Sequence, residues 1–245
     1  MYDAEGPPDA PPIVFVHGIG MTRAQWIPQV RDLSGSYRTI AMDLPGHGAL
    51  APAKFSLKSA AEQLGTVIDE AAGGRALVAG VSLGGFVAME YAATHAGAVA
   101  GLILTGCSAN PRGVLSVIPP TLALFTRAMG QRWLTFVNQV NFRVRYGDEL
   151  AQQQLEAGFF FKATQDALWQ LRGRDFRRKL AGYPGPTLIL NGERDVMYRI
   201  QELNFLASAP DARLQLVRGA GHVANLENPA AYNRAVRRFA RSVDW

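Results

Sequence analysis

Gly80-Val81-Ser82-Leu83-Gly84-Gly85 joins an apolar run, Arg75 to Val81, to a helix-patterned stretch, Ser82 to His95. A G-x-S-x-G placed between a strand and a helix makes a sharp turn. The serine takes a strained backbone, its Oγ is pushed out, and the glycines let neighbouring backbone pass close by. The helix that follows aims its free N–H groups at the same spot. From the motif alone, a glycine-rich turn that happens to hold a serine would read the same. The strand–turn–helix context makes Ser82 a candidate nucleophile.

Working outward, short apolar runs alternate with helical spacing. Ile13–Val16 and Tyr37–Met42 read as strands on the N-terminal side of the turn, and Val99–Thr105, Thr187–Leu190 and Leu214–Val217 on the C-terminal side. Arg23 to Ser34, Ser56 to Ala72 and Pro229 to Ser242 have helical periodicity. Continuously apolar strands alternating with helices imply an α/β fold: a mostly parallel sheet covered on both faces. Tyr2 to Gly6 leaves room for one short strand before the first of these but little for a hairpin. The expectation is six or seven strands. Between Ser108 and Tyr183 the alternation stops and only helical periodicity remains. That divides the chain into a core, residues 1–107 and 184–245, and a helical lid, residues 108–183.

A serine hydroxyl needs a base to act as a nucleophile, and the chain has four histidines. His17 closes the first long strand, and a role in shaping the neighbouring loop suits it. His47 lies in the turn-rich Asp43-Leu-Pro-Gly-His-Gly48, and His95 ends a helix. His222, in Gly219-Ala-Gly-His222, follows the last strand, at the sheet end where sites gather in open parallel sheets. The acid that orients such a base belongs in Asn191-Gly-Glu-Arg-Asp195, where Glu193 and Asp195 are both candidates; Asp195 is preferred because the turn carries it past the strand end, whereas Glu193 is expected to face solvent. The order Ser82, Asp195, His222 along the chain is that of a nucleophile-elbow hydrolase. An oxyanion hole needs two backbone N–H groups. Leu83 supplies one, and the loop His17-Gly18-Ile19-Gly20 the other, through Ile19. No metal-ligand spacing and no phosphate-cradling glycine motif occurs, so neither a metal nor a cofactor is expected.

The stretches VFVHGIG, DLPGHG, GVSLGG, LILNGERD and GAGH together resemble the α/β-hydrolase superfamily, across residues 13 to 222 apart from the lid. Within it, the layout is similar to compact lidded esterases and lactonases, such as 3-oxoadipate enol-lactonase and pimeloyl-carrier methyl ester esterase. The resemblance implies hydrolysis of a carboxylic ester, lactone or thioester through an acyl-enzyme. Serine at 82 argues against the dehalogenase and epoxide-hydrolase branches, which carry aspartate there. The same residues leave open carbon–carbon bond hydrolysis, perhydrolysis, lyase chemistry, or a homologue that only binds a small molecule.

The chain of 245 residues has 48% hydrophobic and 18% charged residues, as expected of a globular domain, and a net charge of +5. Its basic residues form no run interleaved with aromatics, so a nucleic-acid partner is not expected. One cysteine, Cys107, excludes an intramolecular disulfide and fits a reducing compartment. Met1 to Pro12 has no basic n-region and no apolar h-region, and no apolar run is long enough to span a membrane. A cytoplasmic protein is the expectation. Eleven basic residues against five acidic ones fall between Ser108 and Tyr183, so the positive charge belongs to the lid. The lid is also rich in aromatics, of which Trp133, Phe159 and Trp169 are candidate substrate contacts. These side chains serve equally as lid packing. The sharper reading is an apolar acyl pocket under a basic rim that receives an anionic, carrier-bound or coenzyme A-linked substrate.

Overall fold

The computed structural model describes residues 1–245. Seven strands form one sheet: β1 (Tyr2–Glu5), β2 (Pro12–Val16), β3 (Arg38–Met42), β4 (Ala76–Val81), β5 (Val99–Thr105), β6 (Pro186–Gly192) and β7 (Asp211–Val217). Their order is β1-β3-β2-β4-β5-β6-β7. Only β1 runs antiparallel, with Tyr2 opposite Met42 and Glu5 opposite Thr39. Tyr2–Glu5 thus forms a single strand at the edge of the sheet. The central strand β4 is buried at all six positions, and β5 at all seven. That burial is why they read as unbroken apolar runs. The edge strand β7 is half exposed along most of its length, so its first three residues, Asp211 to Arg213, carry no apolar signal and are missed from the sequence.

The helices on the two faces are α1 (Ile27–Leu33), α2 (Leu57–Ala71) and α3 (Leu83–Ala92), then α4 (Ile118–Met129), α5 (Gln131–Tyr146), α6 (Asp148–Ala157), α7 (Phe161–Leu171) and α8 (Phe176–Ala181). After β6 come α9 (Val196–Arg199) and α10 (Glu202–Ser208), and after β7 come α11 (Ala224–Glu227) and α12 (Pro229–Ser242). The expected helix from Arg23 to Ser34 is two pieces. A 3-10 turn, Arg23–Trp26, is capped by the Thr22 side chain, and the α-helix begins only at Ile27. Pro28 has no N–H to give to the preceding turn, so it suits the start of a helix and not its interior. Helix α2 starts where a reciprocal Ser56–Ser59 capping box satisfies its first amides.

Two cores result, one on each face of the sheet. One is built on Val14, Val16, Ile40, Val78, Leu102 and Ile189 with α2 and α3; the other on Ile13, Phe15, Leu77, Ile103 and Leu190 with Trp26, Tyr232 and Phe239. Between β5 and β6 the chain is helical throughout, but its parts pack differently. Ala163, Ala167 and Leu171 of α7, and Phe176 and Leu180 of α8, join the first core. Helices α5 and α6 make only a small cluster, in which Phe142 and Ala151 meet Leu226. Of the outer helices, α4 packs along α7 and buries Pro119 and Ala123, so α5 and α6 are the part loosely tied to the body.

Candidate active site

The turn after β4 is strained where the sequence places the serine. Ser82 has φ 53° and ψ −114°, and Asp244 is the only other non-glycine residue with positive φ. Such a conformation costs about 1–3 kcal/mol and persists only if the surroundings enforce it. The Ser82 amide donates to Thr105 O at 2.7 Å, pinning the turn to β5. The glycines are required by contact. A Cβ on Gly80 would sit 2.5 Å from backbone atoms of Gly84 and Gly85. One on Gly84 would overlap the Val16 carbonyl, and one on Gly85 the Cys107 sulfur. Cys107 is buried, and burial pushes its thiol well above the ordinary range, which makes it an inert packing residue.

Two later strand ends bring the acid and the base together. The Asp195 amide bonds Gly192 O, and the Asp195 Oδ2 lies 2.9 Å from His222 Nδ1, with the carboxylate almost fully buried. The two loops interlock: the Arg194 amide donates to Ala220 O, and a Cβ on Gly192 would overlap the Gly221 carbonyl. Glu193 is exposed and turns the other way, accepting from the Gly219 amide. Of the two acids in this turn, the structure brings Asp195 to His222. Gly106, next to Ser82's partner Thr105, lies against the imidazole; a Cβ there would be 2.8 Å from the ring. A direct Ser82–His222 hydrogen bond does not form here, which is common in resting sites.

The loop His17–Gly20 lies beside the serine: a Cβ on Gly18 would be 3.8 Å from Ser82 Cβ. Its shape is set by two buried histidines. His17 Nδ1 donates to Gly18 O at 2.8 Å, and its Nε2 accepts from the Leu44 amide at 3.0 Å. His47 Nδ1 donates to Pro45 O at 3.0 Å, and its Nε2 accepts from the Gly20 amide at 3.2 Å. The Gly18 amide is taken by Gln25 Oε1. The Ile19 N–H makes no hydrogen bond within the protein. Leu83 is the first residue of α3, so its N–H has no intrahelical acceptor. The two backbone N–H groups named from the sequence thus have no acceptor within the protein. Sequence placed His47 only near the site; its work on Gly20 appears once β2 and β3 are side by side.

These two rings work only as neutral acceptors. Burial holds His17 down at about 4, with Arg23 adding repulsion, and holds His47 at about 3, with His17 adding repulsion. In the unfolded chain both titrate near 6.5, so below that value the unfolded state binds more protons and acid favours unfolding. The stability they confer is complete above about pH 6.5 and is lost as pH falls toward 4 and 3. His17 alone accounts for about 3 kcal/mol of that loss. The urea midpoint is expected to drop steeply from about pH 6.5 to about pH 4. A midpoint unchanged over that interval would refute the neutral pair.

One residue of the site escaped the sequence reading. Tyr198 stacks on His222 with ring centroids 4.4 Å apart and planes 25° apart. Burial, reinforced by Asp195, raises its phenol to about 12, partly offset by contact with the Ser82 hydroxyl. The available signal is its place three residues after Asp195, on the short helix α9 that follows the strand-end turn. The expected aromatic contacts are more scattered. Phe159 packs against Phe142 at 5.5 Å, and the next residue, Phe160, bonds its amide to Gly20 O. Trp133 and Trp169 are each about half exposed on α5 and α7. Trp133 lines a surface depression with Met129, Arg132 and Thr135 that no residue of the Ser82 site enters.

A parallel sheet with a strained serine turn after its central strand, and an Asp–His pair on later strand ends, defines the hydrolase class to which the sequence motifs pointed. Residues 13–235 match the Alpha/beta hydrolase family, and the chain belongs to it. It is 28% identical to 3-oxoadipate enol-lactonase 1 of Acinetobacter baylyi, covering 97% of this chain and 91% of that one. It is also 28% identical to a protein of Bacillus subtilis named as an uncharacterized carboxylesterase, over 96% of this chain and 81% of the other. Among solved structures, the enol-lactonase of Burkholderia xenovorans superposes with a TM-score of 0.83 at 23% identity, covering 98% and 96% of the two chains. That last likeness is one of fold.

Proposed function

We propose that this protein is a serine esterase or lactonase working through an acyl-enzyme. The observation that carries the reading is the 2.9 Å Asp195–His222 bond beside the strained Ser82. In this mechanism Ser82 Oγ attacks the substrate carbonyl and its proton passes to His222 Nε2. Asp195 holds the Nδ1–H tautomer and stabilises the imidazolium that forms. The Ile19 and Leu83 amides receive the oxyanion. Collapse breaks the ester bond, and the alkoxide or thiolate leaves with the proton from His222. Water, deprotonated by the same ring, then releases the acid and frees Ser82.

The relatives named as a lactonase and a carboxylesterase favour ester and lactone substrates over carbon–carbon cleavage. A panel of aryl esters, a lactone and a diketone tests this. Turnover of the esters or the lactone is expected; turnover of the diketone alone would overturn the reading. The substrate is a small molecule with an apolar acyl group, and the positive insertion suits an anionic or carrier-linked one. Arg174 and Lys179 reach Glu90, and Arg112 pairs with Asp175, so part of that charge is held within the fold.

Tyr198 serves here as a positioning residue that holds the imidazole by stacking. Tyr198→Leu is expected to lower kcat about fivefold with KM little changed, and Tyr198→Phe to retain most of the wild-type rate, since a ring on a cationic imidazole contributes about 1 kcal/mol. Equal losses in both variants would assign the role to the hydroxyl instead.

A further inference from the structure

The outer helices of the insertion expose a surface that the catalytic reading does not use. On α5, Trp133, Phe136, Val137, Val140 and Val144 are all exposed, Phe136 at 63% and Val144 at 80%. At 3.6 residues per turn these five fall within an arc of about 100°. Leu134 and Phe142, the buried residues of α5, lie outside this arc, Phe142 nearly opposite its centre. On α4, Ile118, Leu122 and Phe125 form a second exposed row at i, i+4 and i+7. Single exposed apolar residues need no explanation, but a contiguous stripe marks an interaction surface.

The charge around the stripe identifies what it meets. From Ser108 to Gly147 there is no aspartate or glutamate, while arginine stands at 112, 127, 132, 143 and 145. Arg132 and Arg143 border the α5 stripe on one side, within about 40° of Phe136 on the helix circumference. Neither they nor Arg127 and Arg145 form a salt bridge, in contrast to Arg112, which pairs with Asp175. No single helix is long and apolar enough to cross a membrane, and α4 and α5 meet at 103°.

We propose that α4 and α5 form a peripheral docking face for an anionic lipid surface. The apolar stripe enters the headgroup–acyl boundary while the arginines meet lipid phosphates, the arrangement that amphipathic basic helices use. A second copy of this chain fits poorly. In a two-fold interface the same patch faces itself, which would set unpaired arginines against arginines with no carboxylate in the segment. The hydrated surface of an acidic protein would match the arginines but leave the aromatic and aliphatic stripe without a partner.

The test uses the full chain and vesicles of phosphatidylcholine with or without phosphatidylglycerol, at low and high salt. It needs no catalysis, so its result is separate from that of the esterase reading. Co-sedimentation with the anionic vesicles, released by salt, is expected. Phe136→Ser with Val144→Ser should weaken it about tenfold or more, and Arg132→Gln with Arg143→Gln by a similar factor, with hydrolysis of a water-soluble ester unchanged in both. The proposal fails if the protein stays in the supernatant at low salt, or binds neutral vesicles equally well. It also fails if Phe136→Ser with Val144→Ser abolishes a dimer, which would give the face to a second copy. A raised KM for the soluble ester with vesicle binding intact would give it to the substrate pocket.

Discussion

Ser82→Ala is expected to remove essentially all ester turnover, lowering kcat by about 10⁴-fold or more, while the protein stays folded. The size follows from the non-additive character of such sites: once the nucleophile is gone, the base and its acid have nothing to activate, and only the oxyanion donors and binding remain. Folding should survive because the hydroxyl makes no structural bond in the elbow. The Ser82 amide, which alanine keeps, bonds Thr105 O. Alanine at φ 53° bears much the same strain as serine. The circular dichroism spectrum and urea midpoint should therefore match wild type within about 1 kcal/mol. A variant that retained more than a few per cent of turnover would contradict the assignment of Ser82.

Gly84→Ala is expected to cost more stability than any other alanine in the elbow loop. The new Cβ would overlap the Val16 carbonyl and lie 2.8 Å from His17 O. These are backbone atoms of the strand that leads into the loop of Ile19, and no side-chain rotation relieves the clash. Either β2 or the elbow must move. Overpacking of this kind costs about 3 kcal/mol or more where the neighbours cannot yield, a large part of a total stability of about 5–15 kcal/mol. Gly35→Ala is the control, since a Cβ there meets nothing within 4 Å. Its unfolding free energy should change by less than about 0.5 kcal/mol. If both variants unfold at the same denaturant concentration, the close approach of β2 to the elbow is wrong.

Much of this candidate site was legible because a serine held in a strand-to-helix turn requires special backbone. Ser82 sits where a strand gives way to a helix, and the glycines around it are fixed by contact with β2 and Cys107, so the motif and its context survive in the sequence. Asp195 and His222 follow from position: each comes just after a strand of a parallel sheet, where the loops of adjacent strands meet. What was not legible depends on contacts between elements distant in sequence. Tyr198 over His222 joins α9 to the loop after β7, and His47 under Gly20 joins the segments after β2 and β3. Neither leaves a periodic or spacing signal. The same limit applies to the insertion. Helical periodicity located it, but only packing shows α7 and α8 sharing the main core while α4 and α5 turn apolar side chains outward. Strand ends failed for a simpler reason: Asp211 and Arg213 are strand residues on an exposed edge, where apolarity is not needed.

Labelling with a fluorophosphonate tests the central claim most directly, because the reagent reacts only with a serine activated by a base beside an oxyanion site. Intact-mass and peptide mapping should show one adduct per chain, on the peptide carrying Ser82, absent in Ser82→Ala and formed far more slowly in His222→Ala. A folded protein that takes up no label, or takes it up on another residue, would contradict the account.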